Sequence, residues 1–473
     1  MGINFWDSEA WSLINLTAVL LIGLLLGNLL KKSVGFLRRS LIPTSVLGGL
    51  ILLAVSVVYE NLNGGASIFD TRFFGGNGSA VLEVLTYHAL ALGFIAITFK
   101  PSKRKITGAR SAEVFNTGVT TVSGYLLQGI LGLGITLIAS LIVREFFAAS
   151  GILLPFGYGQ GTGQALNWGN KYEVDNGFVG GKSFGLTIAA LGFLSASVGG
   201  VIHLNILRRK KNIKSPDGDE NRALLAEEVQ AENEIPMNGS MDKLTVQVAL
   251  VLGVYLVCGV VMKLLGGLSE GLRSTIYGFN FLFGVLLATL VKAVLGFLMK
   301  KKVVKKQYIS GFMMSRISGF FFDLMIVAGI AAIRINVLKN YWPVIILLGI
   351  AGALSTYFYV RFVCRRLFPD YTEEQFLVMY GMLTGTASTG MILLREIDPE
   401  FSTPAAENLV YQNFPAIVFG FPMMLLAAYA PDHALNTFLI LCGFFIVMNV
   451  ILFRRSIFVR KKPAGGKGEK NTR

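Results

Sequence analysis

This chain is short of charge. Only 15% of its 473 residues are Asp, Glu, Lys or Arg, while 53% are hydrophobic. A soluble protein carries roughly 25% charged residues. The deficit argues against a soluble enzyme and makes membrane spans the default reading of the apolar stretches. Cysteine is scarce as well: Cys258 and Cys442 lie inside apolar runs and Cys364 lies beside Arg365 and Arg366. None is placed for pairing, which excludes a disulfide framework. His88, His203 and His433 are scattered near span ends or alone. No His/Asp, Ser/Lys or paired-Asp set falls within an apolar run, so an intramembrane hydrolase is not expected. No Walker-type motif appears, which argues against ATP-driven transport. The N-terminus lacks the Lys/Arg that opens a signal peptide and carries Asp7 and Glu9 instead. The first apolar run is long for a leader and reads as a retained span.

What charge there is has a pattern. Lys and Arg number 43 against 28 Asp and Glu, a formal charge of +15. They sit in short clusters between apolar runs, as the positive-inside rule produces, and form no basic stripe for nucleic acid. Runs long enough to cross a bilayer lie near 9–30, 41–60, 80–99, 117–143, 178–207, 244–266, 274–298, 312–336, 341–363, 406–430 and 434–453. Every odd-numbered run ends in a basic cluster. These are Lys31 to Arg39, Lys100 to Arg110, Arg208 to Lys211, Lys300 to Lys306, Arg361 to Arg366, and Arg454 to Lys462. The even-numbered runs end near Asn61–Asn63, Glu145, Gly266–Glu270 and Pro431–His433, with few positive charges. One orientation fits: N-terminus outside and C-terminus in the cytoplasm. The polar, charge-rich segment 208–243 reads as a cytoplasmic linker, with a short helix around Arg222–Glu232.

The halves echo one another. Tyr158–Ala165 reads YGQGTGQA and Tyr380–Ala387 reads YGMLTGTA, both Y-G-x-x-T-G-x-A. Gly93–Ile97 in the third run pairs with Gly329–Ile333 in the eighth. Both pairs occupy corresponding places in two sets of five runs. Five is odd, so the second set enters the membrane inverted, a recurring plan of secondary transporters. The expected fold is an all-α polytopic membrane protein of two inverted five-helix repeats plus one extra C-terminal helix. Residues 1–207 form the first repeat, 208–243 the linker, 244–430 the second repeat, and 431–473 the extra helix with its basic tail.

The two motifs are too glycine-rich to span as helices and too apolar for exposed loops. Backbone at that depth must be hydrogen-bonded or line a wet cavity. Re-entrant hairpins near 150–175 and 373–398 satisfy both demands. At such tips the N–H groups of half-helix N-termini favour anions, and glycine lets a solute approach the backbone. Candidate solute-binding residues are therefore Gly159, Gln160, Gly161, Thr162, Gly163 and Asn167 in the first motif. In the second they are Thr384, Gly385, Thr386, Ser388, Thr389 and Gly390. Hydroxyls and freed carbonyls also suit Na⁺. A charge inside a span costs roughly 2.5–3.5 kcal/mol on insertion scales, which singles out Asp323, mid-way along the eighth run. Asp323 and Thr98 are the candidate Na⁺ ligands. Arg334, Arg316 and Lys182 lie near span ends and read as interfacial.

These stretches carry a family resemblance. Ser33–Leu52, Leu92–Ile97 and the hairpin Gly159–Trp168 resemble the bacterial sodium/glutamate symporters, and Thr384–Gly390 matches their second hairpin loosely. The resemblance covers the first ten runs. Gln160 stands where that family usually has histidine, and the second hairpin lacks part of the glycine pattern. The resemblance implies a homodimeric Na⁺-coupled carrier for acidic amino acids in a bacterial inner membrane. The sequence reading is therefore a secondary active symporter of a glutamate-like amino acid or small dicarboxylate, not an enzyme. A passive channel, or a carrier for another small anion, is the alternative. A channel would need a polar stripe along its helices, and this chain concentrates its polar groups at two points.

Overall fold

A computed structural model describes residues 4–100, 108–143, 146–211, 234, 241–268, 273, 276–398, 402–454 and 457. Most of the linker, including Arg222–Glu232, lies outside the described residues, as do Glu145, Glu270 and the tail from 458 on. The described chain is helical: α1 Ser8–Ser33, α2 Gly35–Arg39, α3 Thr44–Leu62, α4 Gly78–Phe99, α5 Gly108–Ile142, α6 Leu153–Asn176, α7 Gly181–Lys211, α8 Lys243–Leu268, α9 Asn280–Lys300, α10 Gly311–Ala331, α11 Trp342–Leu367, α12 Thr372–Thr384, α13 Ala387–Arg395, α14 Ala405–Tyr411, α15 Asn413–Tyr429 and α16 Ala434–Leu452.

Ten of these helices are long and apolar enough to cross a membrane, and α14 with α15 makes an eleventh as a pair bent by 51°. The chain is a polytopic membrane protein. Each observed span overlaps one apolar run of the sequence. The differences lie at the ends, where local backbone chemistry decides. The eighth run extends to 336, but α10 stops at Ala331, and Arg334 is extended before a short 3₁₀ turn, Ile335–Leu338. The fourth run starts at 117, but α5 begins at Gly108, because its first turns are helical without being apolar. Pro43 precedes α3 and Pro343 lies in the first turn of α11, positions where a missing N–H costs nothing.

Contacts between neighbours fix the directions of the helices. α1 and α3 are antiparallel and pack backbone to backbone, Gly27 against Gly48 and Thr44, and Gly23 against Leu52. Such small-residue contacts bring helices close where lipid supplies no hydrophobic drive between them. α4 runs beside α9 in the same direction: Asn280 donates to Tyr87 O and Lys292 to Thr98 O. α3 and α10 are parallel, with Gly49 against Ile330 and Val327. α5 is antiparallel to α16, with Gly134 near Phe438 and Arg454 bonded to Asn116. The described basic residues at the ends of α1, α4, α7, α9, α11 and α16 thereby share one face, called here the basic face.

Two segments double back. After α5 reaches the opposite face, the chain turns inward. Gly151 lies against Gly132, Pro155 near Gly129 and Gly159 against Tyr125, so this inbound arm retraces α5. The return arm climbs along α7, Ala165 beside Gly185 and Gly169 beside Gly181. Phe147 at the start and Phe178 at the end stack at 4.8 Å, and Phe156 stacks on Trp168 between the arms at 5.2 Å. The second segment, α12–α13, opens at the basic face. Its arms touch where Gly381 meets Gly390.

Candidate functional site

Both turning points are breaks in helices. In α6 the break is Gly161, at φ 79° and ψ −171°. This backbone conformation is essentially restricted to glycine. In the second segment the break is Gly385–Thr386, after which Thr386 caps α13 by accepting from Thr389 N at 3.4 Å. Each return arm therefore begins at its tip, with free N–H groups and the positive end of its dipole there.

The tips meet. A Cβ at Gly161 would sit 3.5 Å from Thr386 Cγ2 and 3.9 Å from Gly385 O. α7 passes both at Gly192, where a Cβ would fall 2.6 Å from Thr384 O and 3.2 Å from Tyr158 Cα. Only glycine leaves room there for the two backbones. Gly192 lies near the middle of the span Gly181–Leu207, and Leu90, which touches Gly163, lies near the middle of α4. The meeting point is therefore at mid-depth of the helical bundle. Two N-termini, glycine backbone and threonine hydroxyls converge there, an arrangement that can bind an anion and offer oxygen ligands to a small cation.

The candidate residues separate into groups. Gly161, Gly385 and Thr386 form the contact itself. Thr162 is buried and its hydroxyl lies 3.5 Å from Met325 O of α10. Thr389 is buried, 3.3 Å from Thr386 Oγ1 through its own hydroxyl. The Thr384 hydroxyl donates to Tyr380 O at 2.6 Å, so its proton is spent within its helix. Gln160 is half-buried at the tip. Gly159, Gly163 and Gly390 serve close packing against Tyr125, Leu90 and Val378. Asn167 is not at the tip: six residues along the return arm, it donates to Gly278 O at 3.3 Å. The Ser388 side chain lies outside the described residues.

Asp323 and Thr98 are not brought together. Gly93 of α4 lies against Phe322 and accepts from Ser318 of α10 at 3.0 Å. The helices are antiparallel, so Thr98 and Asp323 lie five residues from this contact in opposite directions, roughly 15 Å apart along the axes. The Thr98 hydroxyl bonds Phe94 O at 2.7 Å, and Lys292 Nζ takes its carbonyl at 2.9 Å. Asp323 is exposed on α10, with Ser45 of α3 near it. Among the described residues no group of three His, Cys, Asp or Glu side chains could hold a metal ion.

Sequence reasoning missed the groups that hold the tips. Tyr125 Oη donates to Gly159 O at 3.1 Å, and Gln128 Nε2 donates to Leu383 O at 2.9 Å and to Thr356 Oγ1 at 2.7 Å. Gln412 accepts from Thr121 at 2.8 Å and reaches Met382 Sδ at 3.2 Å. The available signal was the polar residues within the apolar run of α5, among them Gln128.

Ionic clusters guard both mouths. At the basic face Arg361 grips Glu373 through two nitrogens, and buried His203 lies 2.8 Å from Glu373 and 2.9 Å from Tyr357 Oη. Burial by itself would raise the Glu373 pKa. Hydrogen bonds from His203 and Arg361, with the guanidinium charge, override it and hold the carboxyl at about 2. At the opposite face Lys182 Nζ lies 2.8 Å from Glu83 and 3.7 Å from Glu173, with Arg334 at 4.0 Å from Glu83. No known protein family matches this sequence, and no curated protein is significantly similar to it.

Proposed function

We propose that this protein is a secondary active transporter that carries a glutamate-like amino acid or a small dicarboxylate together with Na⁺. The observation that carries the reading is the contact of Gly161 with Gly385–Thr386 at mid-depth. Two segments that open on opposite faces end at one point. In this reading they are re-entrant hairpins of two inverted five-helix repeats, and α16 is an added helix. The return-arm N-termini, those beginning at Thr162 and Ala387, supply N–H donors to a carboxylate. Freed carbonyls and the hydroxyls of Thr386 and Thr389 supply oxygen ligands to Na⁺. Asp323, exposed on α10 and remote from Thr98, is then not a Na⁺ ligand shared with it.

Each hairpin mouth faces one side only, which is what alternating access needs from a central site. A hairpin-bearing unit moves against the remaining helices, exposing the solute to one face and then the other. The positive-inside pattern puts the basic face in the cytoplasm, and the resemblance to sodium/glutamate symporters suggests a homodimer in a bacterial inner membrane. The test is uptake of labelled L-glutamate, L-aspartate and C4 dicarboxylates into proteoliposomes. The reading predicts saturable accumulation that collapses when Na⁺ is replaced by K⁺. Absence of Na⁺-dependent uptake for every acidic solute would remove both the substrate and the ion.

A further inference from the structure

We propose that Tyr125 and Gln128 of α5 are positioning residues that hold the two tips at a fixed separation and so set solute affinity; this rests on the tips being the solute site. The last four carbonyls of a helix have no partner inside it. At Gly161 and Gly385 such carbonyls are left at mid-depth, where lipid offers no donor. α5 supplies one to each. Tyr125 Oη donates to Gly159 O at 3.1 Å, two residues before the first break. Gln128 Nε2 donates to Leu383 O at 2.9 Å, two residues before the second.

The two donors are one turn apart on one helix, about 4.5 Å along its axis. Hairpins that open on opposite faces are thus tied to a single rigid element. The packing is equally close: a Cβ at Gly124 would lie 2.9 Å from Leu383 Cδ1, and Gly159 lies directly against the Tyr125 ring. Leu383 O can only accept, which fixes the orientation of the Gln128 amide. A second bond from the same nitrogen to Thr356 Oγ1, at 2.7 Å, anchors it to α11. Gln128 is 0% exposed, so water does not compete for its bonds.

The test has two independent arms. In a background with Cys258, Cys364 and Cys442 replaced, the Gln160→Cys/Thr386→Cys pair is treated with a short bifunctional thiol reagent. This reads tip separation without transport. In proteoliposomes, KM and maximal rate of Na⁺-dependent L-glutamate uptake are measured. Gln128→Met removes the donor at nearly constant shape. It is expected to slow cross-linking and to raise KM, each roughly tenfold, with maximal rate within about twofold and a modestly lower melting temperature from the stranded Leu383 carbonyl. Gln128→Glu should recover toward the parent as pH falls, because only the protonated carboxyl can donate to Leu383 O. Tyr125→Phe, which removes a single oxygen, is the second variant should Gln128→Met not fold. Unchanged cross-linking and KM overturn the proposal. So does a fall in maximal rate and melting temperature at constant KM, the signature of a merely structural role. If the parent protein shows no uptake, the transport reading fails and cross-linking alone still decides whether α5 fixes the tips.

Discussion

Replacing Gly161 with alanine asks whether the break in α6 matters. The space around it is adequate: the new methyl would lie 3.5 Å from Thr386 Cγ2 and 3.9 Å from Gly385 O, both ordinary contacts. The backbone is the obstacle. At φ 79° and ψ −171° a side chain costs about 1–3 kcal/mol. The chain can relieve that strain by closing the helix across the break, which draws the Thr162 N-terminus away from the second tip. If the strain is expressed in solute affinity, each 1.4 kcal/mol is tenfold, so a loss of roughly 10- to 100-fold is expected. Gly253→Ala and Gly259→Ala in α8 are the controls, since each methyl would meet open space. Both should be neutral or stabilising by up to about 1 kcal/mol, because alanine is the better helix former. The assays are Na⁺-dependent uptake in proteoliposomes and thermal unfolding in detergent. If Gly161→Ala transports like the parent and melts like Gly253→Ala, the break is not a functional element and the reasoning fails.

The ionic mouth at the basic face gives two further expectations. Arg361→Ala leaves Glu373 and buried His203 without their cation and should destabilise the protein by about 3–5 kcal/mol, read as a lower melting temperature. Glu373 has a folded-state pKa of about 2 against an ordinary value of 4.5. A depressed carboxyl stabilises above its unfolded value and loses that contribution as pH falls through the folded one. Melting temperature should therefore drop between about pH 4.5 and 2, and Glu373→Gln should flatten that limb; an identical acid limb in the variant refutes the assignment. Lys243 is fully buried against Glu234 at 2.7 Å. Lys243→Met should cost about 3–5 kcal/mol by stranding the carboxylate, and a second change, Glu234→Gln, should restore most of the loss in thermal unfolding.

The sequence shows the spans because lipid enforces them: an apolar run of bilayer length has few alternatives to a helix. Glycine and threonine crowd into Tyr158–Ala165 and Thr384–Gly390, and the helix breaks at Gly161 and Gly385–Thr386 fall within those stretches. The sequence does not show which residues brace them. Tyr125 and Gln128 meet Gly159 and Leu383 across 34 and 255 residues of chain, so a polar residue within the run of α5 is visible in the sequence but its partner is not. Depth is legible and direction is not. Asp323 is read as mid-span from its position, but the face of α10 that it occupies, toward Ser45 and away from Thr98, comes only from packing. Asn167 follows the motif by a few residues, and helix rise carries it to Gly278. The overrun of the eighth span past Ala331 has a similar cause: Ile333 and Ile335 are apolar, but the helix ends before them, Arg334 is extended and Ile335 opens a 3₁₀ turn.

The central claim is that two segments entering from opposite faces bring their tips to one solute site. Labelling of single cysteines in sided vesicles tests it most directly. In a cysteine-free background, Val174→Cys marks the mouth of the first segment and Glu374→Cys that of the second, while Thr386→Cys marks the meeting point. The account predicts that impermeant thiol reagent reaches Val174→Cys from one side only and Glu374→Cys from the other only, and that L-glutamate with Na⁺ slows labelling of Thr386→Cys. Labelling of both mouths from the same side, or a Thr386→Cys rate indifferent to solute and Na⁺, would contradict it.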